Sequence, residues 1–193
     1  MKTALLKISL ALFVLFAFNA CNLKDAIEIP VSINDQTINF DILPSGSAGV
    51  SQANKVAAEA QGAVILWDGT INVNVAKELE KNGYSFNMVK SFLLTQAELT
   101  VTVPAGVTDV SAFLSDNFKN LKLYFDDQTQ LVAQFDSYSA TAKTISIKIV
   151  NGELLNKLKN DQLHIILTGD KRPTQKISCK LTTSYLVKIK PLK

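Results

Sequence analysis

The chain has 193 residues, 47% of them apolar, and its 20 basic and 17 acidic side chains leave a formal charge of +3. That length suits one domain with a full core. The charge is too slight and too dispersed for a nucleic-acid binder, which would carry a concentrated basic stripe. Two cysteines and a single histidine exclude a His-rich zinc or non-haem iron site.

The first element is an address. Lys2 and Lys7 open the chain, Ile8–Phe18 is an uncharged apolar run, and Asn19-Ala20 places a small residue directly before Cys21. A positive start, an apolar core and a small-residue cleavage site read as a secretory signal over 1–20. The run has 11 residues, against the ~20 that a spanning helix needs. Cleavage before Cys21 leaves 173 residues with 18 basic and 17 acidic groups. The box Phe18-Asn19-Ala20-Cys21 resembles a bacterial lipoprotein signal, in which signal peptidase II cuts before a lipidated cysteine. The resemblance implies that acyl chains on Cys21 hold the protein to a membrane, and two or more chains anchor stably where one does so only reversibly. With Cys21 acylated, Cys179 has no disulfide partner in the chain. Residues 21–25 then form the lipidated cysteine and a tether, Asn22–Asp25, that reaches about 14 Å. Asn22 is not the aspartate that retains some lipoproteins at the inner membrane, and Lys24-Asp25 resembles the surface-export signal of Bacteroidetes lipoproteins.

Residues 26–193 read as one domain built mainly of strands. Ala26–Ile33 alternates, and Gln36–Leu43 follows a tight Asn34-Asp35 connection. Ser51–Ala60 is Ala-rich and helical. Asp68-Gly69, between AVILW and TINV, signals a two-residue hairpin. Asn74–Asn82 is a short helix with Gly83 as its C-terminal stop. Leu99–Val103 is a strand, and Thr108 or Asp109 caps a helix carrying Val110, Phe113 and Leu114. Leu121–Phe125 and Leu131–Phe135 flank a polar turn at Asp126–Gln130. Thr144–Val150 is a strand, Asn151 caps a further helix with Leu154, Leu155 and Leu158, and Leu163–Thr168 is a strand. From Ile177 to Ile189 the odd positions form one apolar face against an even face rich in Ser, Thr and Lys, which predicts a long strand with one side buried. The segments TVTV to FLSDNFKNLKLYF and SIKIV to LLNKLKNDQLHIIL parallel one another as strand, helix and strand. Together these elements predict an antiparallel β-sandwich of Ig-like or Greek-key type with short helical crossovers.

Few residues offer chemistry. His164 lies inside LHIIL with no nucleophile motif nearby, and reads as a satisfied core or edge-strand histidine. Cys179 falls on the apolar face of the last strand, where a thiol is inert. Asp126-Asp127, Asp161 and Asp170 occupy turn positions, and no phosphate loop, EF-hand loop or CxxC pair is present. No cofactor, metal site or catalytic residue is therefore expected, and the chain is not expected to be an enzyme. Trp67, Tyr84 and Tyr138 are candidate ligand contacts, as a sugar-stacking platform. Lys176, Lys180, Lys188, Lys190 and Lys193 read as guards of an exposed sheet edge.

The chain as a whole resembles the small lipoproteins of Bacteroidetes. The resemblance implies a location in the cell envelope, anchored in the outer membrane through Cys21, with the face of that membrane left open. The function expected is a non-catalytic binding or interaction module for a protein or glycan, with no nucleic-acid partner. Two alternatives stand beside it: a structural accessory of an outer-membrane assembly, and a carrier of an apolar ligand held between sheets near Phe92, Phe113 and Leu154.

Overall fold

The computed structural model describes residues 28–45 and 51–190; the signal, Cys21, the tether and Lys193 lie outside the described residues. Eight strands form: β1 (Ile29–Ile42), β2 (Val64–Asn72), β3 (Val89–Thr102), β4 (Lys122–Phe125), β5 (Leu131–Ser139), β6 (Thr144–Ile149), β7 (Gln162–Gly169) and β8 (Ile177–Ile189). The helices are α1 (Gln52–Ala60), α2 (Val75–Lys81) and α3 (Val110–Phe118). Their ends follow from local chemistry. The Ser51 hydroxyl accepts the Asn54 N–H at 3.1 Å, and the Asp109 carboxylate accepts the Ala112 N–H at 2.9 Å, each satisfying a donor that the first turn leaves open. Gly83 sits at φ +76 just past α2, a left-handed position that stops a helix cheaply only without a Cβ.

The domain is mainly β and antiparallel, as the alternation implied. In place of two packed sheets, however, all eight strands join in one, in the order β1-β8-β3-β6-β5-β4-β7-β2. That sheet curls until it is nearly closed into a barrel. The two end strands, β1 and β2, are not hydrogen-bonded neighbours. Instead Phe40 of β1 stacks on Trp67 of β2, with ring centroids 4.4 Å apart, so the seam is shut by side chains. Asp68-Gly69 is not a hairpin: both residues lie within β2. The Trp67 indole rests over Gly69, its Cε2 2.8 Å from where a Cβ would stand, so glycine is demanded there by a ring and not by a turn.

β8 keeps the unbroken alternation expected of it, and its odd positions from Ile177 to Ile189 are all buried. Both of its neighbours are interrupted beside it. Asn34-Asp35 does not join two strands but forms a bulge within β1, where Ile33 pairs Tyr185 and Gln36 pairs Thr183. β3 starts earlier than the sequence pattern suggested and carries a matching bulge, with Leu94 opposite Tyr185 and Gln96 opposite Ser184. One extra residue inverts the inward parity. Val31 and Ile33 reach the core from odd positions and Phe40 and Ile42 from even ones, while Phe92 and Leu94 give way to Ala97, Leu99 and Val101. Ser184 fastens both bulges, taking the Thr95 hydroxyl on its carbonyl (3.0 Å) and the Asp35 N–H on its hydroxyl (3.3 Å).

The two similar strand–connection–strand segments each jump two strands, from β3 to β4 and from β6 to β7. Because neighbours alternate in direction, they cross opposite ends of the barrel. The first contains α3, which buries Leu114 and Phe118, while Phe113 is only half-buried against the core. The second is not the helix expected after Asn151 but a single 3-10 turn, Leu155–Lys157. Its backbone is taken by β3 instead: Leu94 N–H donates to the Gly152 carbonyl and Leu154 N–H to the Phe92 carbonyl, both at 2.8 Å. The Glu153 carboxylate completes the latch, accepting the Phe92 and Leu155 amides at 3.1 and 3.0 Å and the Ser91 hydroxyl at 2.5 Å.

Candidate binding groove

At the end of the barrel crossed by α3, a groove of ≈ 350 Å³ is lined by Gln61, Lys119, Asn120, Gln134, Phe135 and Asp170, among others. Three connections build it. Gln61 ends α1, Lys119 and Asn120 follow α3, and Asp170 follows β7. The Phe135 N–H donates to the Leu121 carbonyl at 2.8 Å, which fixes β5 against the chain leaving α3. Asn120 Nδ2 donates to the Asp170 carboxylate at 2.5 Å, and the Tyr124 hydroxyl donates to Gln61 Oε1 at 2.9 Å. Burial pushes the Tyr124 hydroxyl above its usual pKa. The Tyr138 ring, 40% exposed, tilts against Phe135 with centroids 6.5 Å apart. The groove thus sets the Phe135 ring, with Tyr138 against it outside the lining, among amide, carboxylate and lysine groups.

The three aromatic candidates do not converge. Trp67 is committed to the β1–β2 seam, Tyr84 is half-buried against the core after α2, and only Tyr138 touches a residue that lines the groove, Phe135. No ring contact joins any two of them among the described residues. Phe135, Gln134 and Asn120 went unmarked as site residues in the sequence because two strand residues and one polar loop residue carry no local motif. Nor do the described lysines, Lys176, Lys180, Lys188 and Lys190, guard an edge, since β8 lies between β1 and β3. Lys176 pairs with Asp41 at 2.8 Å and Lys188 with Glu28 at 3.3 Å, clasping β1. Hydrogen bonds from Lys176 and then Ser178 hold the Asp41 carboxyl below its usual range.

The remaining reactive types are occupied. His164 lies on the outer face of β7, with Nε2 2.5 Å from Asp68 Oδ1 and Nδ1 3.3 Å from the Asp126 carbonyl. Both partners are acceptors, so the ring serves both only with a proton on each nitrogen. The other Asp68 oxygen accepts from Asn54 Nδ2 at 3.1 Å, and Gln128 Nε2 donates to the Asn54 carbonyl at 2.6 Å. The cluster straps α1 and the 126–130 turn to the barrel wall. Asp126 and Asp127 face different partners, Lys159 at 2.7 Å and Lys157 at 3.3 Å. Asp161 accepts the Ala76 N–H at the start of α2. Cys179 is buried in the core, and burial, aided by the Asp41 charge, pushes its thiol up to about 12.

Inside the barrel Phe92 stacks on Tyr185 with centroids 4.8 Å apart, and Leu154 is fully buried. The Tyr185 hydroxyl meets no partner in hydrogen-bond geometry; burial raises its pKa strongly, and the nearby Thr183 hydroxyl offsets this only in part. Among the described residues no group of three or more His, Cys, Asp or Glu is placed to hold a metal ion. Nor is any helix there long and apolar enough to cross a membrane.

Fold and groove together define an antiparallel, nearly closed eight-stranded sheet with a polar-aromatic cleft at one end. No protein-family model matches the chain, and neither curated proteins nor solved structures give a match.

Proposed function

We propose that the chain is a lipid-anchored, non-catalytic binding module of the cell envelope, held in the outer membrane by acyl chains on Cys21, whose barrel-end groove takes a glycan. The anchoring half rests on Lys2, Lys7, the Ile8–Phe18 run and Ala20-Cys21. The binding half rests on one observation, the Phe135 ring, with Tyr138 tilted against it, sharing one groove with the Asn120–Asp170 pair. A sugar ring presents an apolar face of C–H groups that an aromatic ring can cover, and an equator of hydroxyls that amides and carboxylates can bond. The groove volume of ≈ 350 Å³ is at the small end of ligand sites, roughly 300–1,000 Å³, enough for one or two sugar units.

Retention of the tagged chain on a panel of immobilised glycans tests this reading. Tyr138→Ala and Asn120→Ala should each weaken retention of the bound glycan about tenfold, the equivalent of ~1.4 kcal/mol, with the fold intact by circular dichroism. Retention of no glycan by the wild type, or equal retention by both variants, would sink it.

A further inference from the structure

We propose that a second pocket, on the other side of the α1–β2 connection, is a site for a small aliphatic carboxylate read by Arg172. Arg172 is the only arginine in the chain and follows β7 by three residues. Its Nη1 is buried without a hydrogen-bond partner, and the guanidinium makes no ion pair, among the described residues. A guanidinium is permanently charged and presents a rigid fork of donors, so a buried, unanswered N–H asks for an acceptor. The nitrogen belongs to a residue lining a pocket of ≈ 230 Å³. Its other walls are of two kinds: Lys55 and Glu59 from α1, and apolar Ala58, Val64 and Ile65.

The charges select the ligand. Two cations against one carboxylate leave the pocket one positive charge in excess, and Glu59 forms an ion pair with neither cation. That surplus suits a monoanion. A carboxylate matches the fork with two parallel bonds, and the apolar walls favour a short hydrocarbon body behind it. A phosphate dianion would exceed the charge and find no further donor on the apolar side. The site stands apart from the glycan reading and does not depend on it.

Because there is one arginine, its Nε–Hε group gives a single cross-peak in a ¹⁵N-labelled sample of the full chain. That peak is followed while acetate, butyrate or inorganic phosphate is added, with sodium chloride at matched ionic strength as the reference. Saturable movement is expected with both carboxylates, butyrate binding more tightly by up to about fourfold for each added methylene it buries. Arg172→Lys keeps the charge and loses the fork, and should weaken butyrate at least tenfold when read from the Val64 and Ile65 amides. Movement that only tracks ionic strength, tighter binding of phosphate than of butyrate, or undiminished binding by Arg172→Lys would each overturn the assignment. So would a Glu59→Gln variant whose arginine peak shifts without ligand, since Glu59 would then be filling the fork itself.

Discussion

If the barrel seam is closed by side chains, Phe40 and Trp67 should be energetically coupled. Between β1 and β2 there is no ladder of backbone hydrogen bonds, and the stacked rings, 4.4 Å apart at an interplanar angle of 23°, are what spans the gap. A stacked aromatic pair contributes ~0.5–1.5 kcal/mol beyond the area it buries. Phe40→Leu, Trp67→Leu and the double variant close a mutant cycle in which each substitution keeps an apolar side chain. The sum of the single losses should exceed the double loss by about 1 kcal/mol. Urea denaturation followed by far-UV circular dichroism measures it, because Trp67 is the only tryptophan and both variants that replace it lose the fluorescent probe. Gly69→Ala offers an independent route, since its methyl would enter the indole and should reproduce the Trp67 loss with both rings retained. A coupling within about 0.3 kcal/mol of zero would show that the rings are neighbours without being a clasp.

Two further outcomes follow from individual groups. Burial raises the Glu153 pKa, but the Ser91 hydroxyl and the amides of Leu155, Phe92 and Leu154 outweigh it, so the carboxyl titrates below its usual range. A lowered folded pKa stabilises above the unfolded value and is lost as pH falls through the folded one. Glu153→Gln should therefore cost about 1 kcal/mol at neutral pH, a gap that narrows on acidification in pH-dependent urea melts; a gap independent of pH would contradict the latch. The Cys179 thiol, pushed up to about 12, should resist a disulfide reagent in the folded Cys21→Ala chain and react on unfolding; rapid labelling of the native state would place it outside the core.

Much of the local structure was legible. β8 declared its register in thirteen alternating residues, and Asp109 and Gly83 marked helix ends through their own chemistry. Pairing order was not legible, because alternation of inward and outward residues is the same in a sandwich and in a barrel. The bulges hid a second way. A shift of parity at Asn34-Asp35 and at Thr95 reads in sequence as an interruption, and only β8 lying between them shows it to be continuous strand. Gly69 misled because glycine serves both a turn and a ring packed on backbone. After Asn151 the apolar spacing was helical, yet hydrogen bonds to β3 and the Glu153 carboxylate took the amides first. The groove was partly visible, through Tyr138, but its polar half comes from three connections far apart in sequence. Arg172 was the plainest unread signal, a single arginine in a chain whose other basic side chains are all lysine.

In the proposed reading Cys21 sets where the groove works, and metabolic labelling with radioactive palmitate tests that most directly. Cells expressing the wild-type chain should yield a labelled, membrane-fractionating protein shortened by 20 residues, and Cys21→Ala should yield an unlabelled, full-length precursor. Label that persists in Cys21→Ala, or a wild-type chain that is never labelled, would contradict the account of an acyl-anchored envelope module.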